Sequence, residues 1–248
     1  MSSFQQFSFG ENDSHIGGKT KPFKAEANRT YRVSFIWWKG LEDGKPDLNE
    51  SAPRFIGAPT NFIQGAGYVV NKGPEFTKLA GGEAPRTRIA SIIVVWPQDK
   101  NGGVDKARLA AGEAEVYAWV ISSDKYKSLE HINKEFPFGQ HDFTMTCSDA
   151  TYQKLTFTPC RDSLLRSLLE NPKAASLSGA LVTKAQTIAS GIGDQVGREM
   201  TVAQVREKLA GGGGGGGSSG FGGHAATTPT DTMVTGEIDN IVDDLLDN

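Results

Sequence analysis

At 248 residues with a net charge of −3, the chain has room for one domain with appendages. No apolar run approaches the ~20 residues of a membrane span, and the start Met1-Ser2-Ser3-Phe4-Gln5-Gln6 lacks a signal-peptide pattern. Two cysteines, Cys147 and Cys160, are too few for a disulfide framework and suit a reducing compartment, so a cytoplasmic protein is expected.

The charge is unevenly placed. From Gly211 onward stand Asp231, Glu237, Asp239, Asp243, Asp244 and Asp247, with no Lys or Arg. Taking these six from the 29 acids leaves 23 against 26 basic residues in 1–210, a net +3. A mildly basic body with an acidic tail points to a polyanion partner for the body.

Residues 1–26 are a polar, Gly-rich arm. Gly17-Gly18-Lys19-Thr20 looks like the end of a phosphate-binding loop, but position 13 is Asp13 and Pro22 follows at once, so nucleotide binding is not expected there. From Ala27 to Lys39, Tyr31, Val33, Phe35 and Trp37 alternate with Arg32, Ser34, Ile36 and Trp38, which predicts a strand. Residues 40–86 read as a long irregular loop with short apolar pieces at Phe55-Ile56 and Gly67 to Val70. Strands are expected over Thr87 to Trp96 and Glu113 to Ser122. In the second of these, Val116, Ala118 and Val120 form the core face, while Tyr117 and Trp119 point the other way. Asp124 should cap a helix running to about Phe136.

Phe143, Met145 and Cys147 then begin a hairpin that returns through Leu155 and Phe157. An odd loop of three or five residues puts the two apolar sets on one face. Cys160 then falls at least seven residues along from Cys147's cross-strand position, roughly 20 Å at ~3.3 Å per residue, too far for a disulfide. Helices are expected over 162–171, 174–190 and 201–210, the last capped by Thr201.

The chain ends in a tether and a tip. Seven glycines, Gly211 to Gly217, open a tract that cannot bury enough surface to offset its ordering entropy. Beyond it Ile238, Ile241, Val242, Leu245 and Leu246 recur at i, i+3, i+4, i+7 and i+8, one face of a helix, interleaved with Asp243 and Asp244. A tethered acidic peptide with an apolar stripe suits docking on a partner protein. The expected divisions are an arm (1–26), a β domain (27–160), a helical extension (161–210), a linker (211–236) and a docking tail (237–248).

Five strands with a helix between the third and fourth is the layout of an OB-fold barrel, giving a mainly β class with appended helices. OB-folds take oligonucleotides on aromatic side chains flanked by basic ones. Here Tyr31, Phe35, Trp37, Tyr117 and Trp119 are the candidates for stacking. Arg29, Arg32, Lys39, Arg54, Arg86, Arg88 and Lys154 are the candidates for phosphate. Replacing Trp37 and Trp119 by alanine is expected to weaken binding without unfolding the body.

The chain resembles phage-type single-stranded DNA-binding, or helix-destabilising, proteins. Asp243-Asp244-Leu245-Leu246 is similar to the ending of some phage members, and Thr146 to Pro159 resembles the last hairpin of such phage barrels. The resemblance implies an OB-fold body that coats single strands without sequence preference in replication, recombination and repair, in the host cytoplasm if phage-encoded. It also implies a tail that recruits a polymerase, helicase or primase. The chain ends in Asp247-Asn248, whereas bacterial relatives end in Pro-Phe. Some phage members hold zinc, but Cys147, Cys160, His131 and His141 lack the close paired spacing of a zinc site, so no metal or other cofactor is expected. The helices of 162–210 either pack on the barrel or mediate self-association.

Two other classes compete. One is a protein-interaction or assembly module working only through its tail. The other is a metal-dependent nuclease drawing on Asp99, Asp105, Glu113, Glu115 or Asp142, acids that sit in loops and at strand ends; no nucleophile elbow is present and an enzyme is not expected.

Overall fold

The computed structural model describes residues 22–36, 40, 41, 43, 44, 46, 55–149 and 154–211. The arm before Pro22, the linker after its first residue Gly211, the tail, Trp37, Lys39 and Arg54 lie outside the described residues.

Seven strands form one antiparallel sheet: β1 (Arg29–Phe35), β2 (Ile56–Ile63), β3 (Gly67–Val70), β4 (Arg86–Val95), β5 (Glu115–Ser122), β6 (Phe143–Cys147) and β7 (Leu155–Pro159). Their order is β3-β2-β4-β1-β6-β7, with β5 on the other edge of β4. The helices are α1 (Pro74–Leu79), α2 (Lys106–Ala110), α3 (Ser123–Glu135), α4 (Leu164–Glu170), α5 (Ala175–Ala189), α6 (Ile192–Val196) and α7 (Val202–Gly211). Among the described residues no helix is long and apolar enough to cross a membrane.

The expected five-stranded closed barrel is corrected on two counts. The segment read as an irregular loop folds into β2, β3 and α1. Gly65 and Gly67 supply the positive φ (85° and 83°) that turns the chain between the β2–β3 partners Ile63 and Gly67. Second, no pairing among the described residues joins β5 to β7, so the sheet is open. On β5, the carbonyl of Ala118 instead accepts the N–H of Phe23, from the segment ahead of β1.

Alternation along the strands explains two cores on opposite sides of the sheet. Tyr31, Val33 and Phe35 join Ile89, Ile93, Trp119, Ile121, Phe143, Met145 and Cys147, with Leu129 of α3, in one core. The other parity of β4 and β5, Ala90, Ile92, Val94, Val116 and Ala118, packs under Leu165, Leu168, Leu181, Ala185 and Ile192 of α4, α5 and α6. Strand β5 is therefore covered on both faces, not on one as the sequence reading has it. The expected helical extension contains the side chains that cover the second face. A satellite core of Ile63, Val69, Phe76 and Val205 pins α1 and α7 to the β2–β3 hairpin.

Local signals mostly hold. Thr201 caps α7: its hydroxyl accepts the Gln204 N–H, and Gln204 Oε1 accepts the Thr201 N–H. Ser122, not Asp124, stands at the N-cap of α3. Hairpin β6–β7 has the expected odd parity, with Cys147 opposite Leu155 and Met145 opposite Phe157. Its loop, 148–154, is longer than expected, which leaves Cys160 five residues past Cys147's partner instead of seven. Both cysteines are free.

Candidate nucleic-acid interface

The candidate residues read from the sequence separate into four environments. Phe35 and Trp119 are each 1% exposed. Phe35 stacks on Phe138, with ring centroids 4.4 Å apart, and Trp119 lies 5.7 Å from Phe157. They are core residues, because helix α3, β6 and β7 close over the parity that points them inward. Neither is placed to receive a base.

Arg32 is held by the fold. Its Nε donates to Asp142 Oδ2 at 2.9 Å, and its second guanidinium nitrogen meets the same oxygen at 2.9 Å. Asp142 is fully buried and also accepts from the Ser34 and Ser163 hydroxyls and from the backbone N–H of Leu164. Trp96 Nε1 donates to the Ser34 hydroxyl. Burial pushes the Asp142 carboxyl above the ordinary carboxylate range, against the pull of Arg32, Ser34 and Leu164. This network joins β1, the start of β6 and the first turn of α4, and it occupies the charge expected to meet phosphate.

Arg29, Tyr31 and Tyr117 come together. They line an open groove of about 400 Å³, with Lys24, Glu26, Arg108, Glu113 and Glu115 among their neighbours. Phe23 packs against both tyrosine rings, at 5.2 Å and 5.5 Å. Tyr31 is buried, and its hydroxyl accepts the Glu26 N–H. The groove's charges cancel: Lys24, Arg29 and Arg108 share it with Glu26, Glu113 and Glu115. Arg29 pairs with Glu26 at 2.8 Å and Arg108 with Glu113 at 2.6 Å, while the Tyr117 hydroxyl donates to Glu115. Burial and then that hydrogen bond push the Tyr117 phenol up to about 12. Three acids facing three cations make a poor seat for a polyanion. Lys154 is exposed beside this end of the sheet, next to Leu155 opposite Cys147, which in turn pairs with Arg29.

Arg86 and Arg88 stand elsewhere. Val33 pairs with Val95, so Arg88 lies seven residues along β4 from that point, ~23 Å at ~3.3 Å per residue, and away from Arg29. Here the hairpin contributes what the sequence reading missed. Phe62 and Tyr68 are cross-strand partners and are 56% and 46% exposed. Their ring centroids are 5.2 Å apart at 63°. The Arg88 guanidinium carbon lies 3.6 Å from the Tyr68 ring centroid. Arg88 is half-buried, and burial pushes its pKa down. Among the described residues neither Arg86 nor Arg88 has a carboxylate partner.

The fold exposes this pair for a local reason. Asn61, Ile63 and Val69 point to the satellite core, so Phe62 and Tyr68 take the opposite face. That face is covered at Thr60, where a Cβ on Gly197 would come within 2.8 Å of the Thr60 methyl. It is uncovered at the hairpin end. The sequence signal was present in Gly65-Ala66-Gly67 between two apolar pieces, a turn between strands.

The acids weighed for a nuclease have other work. Asp99 accepts two backbone N–H groups of its own turn, Asp105 caps α2, and Asp142 is the buried hub. Among the described residues no three His, Cys, Asp or Glu side chains are grouped to hold a metal. The chain matches no known protein family, no curated protein and no solved structure.

Proposed function

We propose that the chain is a single-stranded DNA-binding protein of low sequence preference, acting by binding without turnover in replication, recombination and repair. The observation that carries this reading is the hairpin face, where arginines that have no acidic partner among the described residues share one surface with exposed aromatic rings. Phosphate supplies the missing anion, and unpaired bases have the π-faces such rings accept.

The strand order adds support. With the β2–β3 hairpin and the short helices α1 and α2 set aside as insertions, the elements run strand, strand, strand, helix, strand, strand, as in an OB-fold. Trp119 of β5 and Phe157 of β7 meet in one core, as in a sheet that curls without its last ladder. Fold likeness alone does not carry function, so the weight rests on the hairpin face.

Titration with oligo-dT and with duplex of equal length, at two salt concentrations, tests the reading. Oligo-dT should bind more tightly, and its affinity should fall steeply as salt rises. Equal affinity for duplex sinks the proposal. A body with no affinity for either strand would leave the tail as the functional part.

The tail completes the reading. Ile238, Ile241, Val242, Asp243, Asp244, Leu245 and Leu246 are its proposed docking surface for a replication or recombination protein. Its acids, tethered through the Gly-rich stretch at roughly millimolar effective concentration, compete with DNA for the basic body. Cutting after Ala210 should raise affinity for oligo-dT, most at low salt, and abolish recruitment of the partner. Leu245→Ala with Leu246→Ala should impair recruitment alone, since no charge changes. Weaker binding by the truncated chain at every salt concentration would put the tail inside the binding site.

A further inference from the structure

Cross-strand aromatic pairs stabilise hairpins by themselves, and that accounts for the contact between Phe62 and Tyr68. It does not account for Arg88. A half-buried guanidinium with no carboxylate partner among the described residues has lost hydration without gaining an anion. Its contact at 3.6 Å is the face of a ring that is itself 46% exposed. A cation–π contact of this kind offsets part of the desolvation and keeps the guanidinium over the ring. The cation is thus held next to a stacking surface, with no carboxylate among the described residues to neutralise it.

We propose that Phe62 and Tyr68 form a subsite for one unpaired base, and that Arg88 takes the phosphate adjoining that base. The assignment rests on the single-strand reading and deepens it. The adjacency suits a nucleotide unit, because base and phosphate are neighbours on one strand just as the rings and the guanidinium are neighbours on one sheet face. Arg86, on the same parity of β4 and exposed, extends the cationic edge toward the next phosphate. Duplex DNA keeps its bases stacked on each other and presents no free π-face to the hairpin, so the subsite favours single strands.

The test compares oligo-dT with an oligonucleotide of equal length carrying abasic residues, using the full chain. Phe62→Ala and Tyr68→Ala should each weaken oligo-dT binding by roughly 5- to 150-fold. They should also erase the preference for oligo-dT over the abasic strand. Tyr68→Phe keeps the ring and should keep the preference. Arg88→Ala should keep the preference but lower the salt slope of binding by about one. The proposal is overturned if Phe62→Ala and Tyr68→Ala keep the wild-type ratio of oligo-dT to abasic affinity, or if Tyr68→Phe loses that ratio as fully as Tyr68→Ala. It is equally overturned if an acidic polypeptide, poly-glutamate, displaces the abasic strand and oligo-dT alike. Failure of the single-strand reading itself shows differently, as wild-type protein that binds duplex as tightly as oligo-dT.

Discussion

Asp142→Ala is expected to lower unfolding stability by about 3–5 kcal/mol. The carboxylate is fully buried and gathers the Arg32 guanidinium, the Ser34 and Ser163 hydroxyls and the Leu164 N–H. Removing it leaves a guanidinium, two hydroxyls and a backbone donor facing a small void. The hydroxyls and the backbone donor are then desolvated without that partner, and the partly exposed guanidinium loses its anion. The loss should appear as a lower denaturation midpoint with an unchanged slope, because the folded surface is the same. Arg32→Ala should be nearly as costly, since it leaves the carboxylate buried and without its cation. The double variant should cost less than the sum of the two, because each change removes the same pair. A loss under about 1 kcal/mol for Asp142→Ala would show that water replaces the carboxylate and that the hub is not structural. The same comparison sorts Arg32 from the binding residues. At temperatures where the variant stays folded, Arg32→Ala should bind oligo-dT as the wild type does.

Trp119→Ala should cost about 3–5 kcal/mol as well. Read from the sequence alone, this change weakens DNA binding and leaves the body folded. The burial of Trp119 predicts the opposite on both counts. The indole is 1% exposed and lies between Phe35 at 6.0 Å and Phe157 at 5.7 Å, so its loss opens a cavity at the centre of the core. Chemical denaturation should show the loss, while oligo-dT affinity per folded molecule should not move. Trp119→Phe should recover most of the stability. A variant that kept wild-type stability and lost DNA affinity would return Trp119 to the stacking surface.

These two residues show what a linear reading can and cannot reach. Alternation of apolar residues located β1, β4, β5 and the β6–β7 hairpin with its odd parity, because side chains of period two must separate onto two faces. Capping chemistry located α7 through Thr201, because an orphan N–H needs an acceptor wherever a helix starts. What alternation leaves open is which face meets water. Tyr117 and Trp119 share a parity, yet one lines an open groove and the other is sealed in the core.

By itself the sequence determined the mainly β class with appended helices, the charge split between body and tail, and a set of basic and aromatic residues consistent with a nucleic-acid partner. Tertiary structure alone decided which of the described ones are exposed and which are buried or paired. Arg32 was lost to Asp142, a residue 110 positions away, because a buried carboxylate must find a cation wherever the fold brings one. Arg29 found Glu26 three positions before it, while Arg88 lies over the Tyr68 ring with no carboxylate partner among the described residues. Phe62 and Tyr68 emerged as an exposed pair because α1, α7 and the β2–β3 pairing claimed the other face of the hairpin. Burial and charge pairing are settled by contacts between distant segments, and those contacts exist only once the chain has folded.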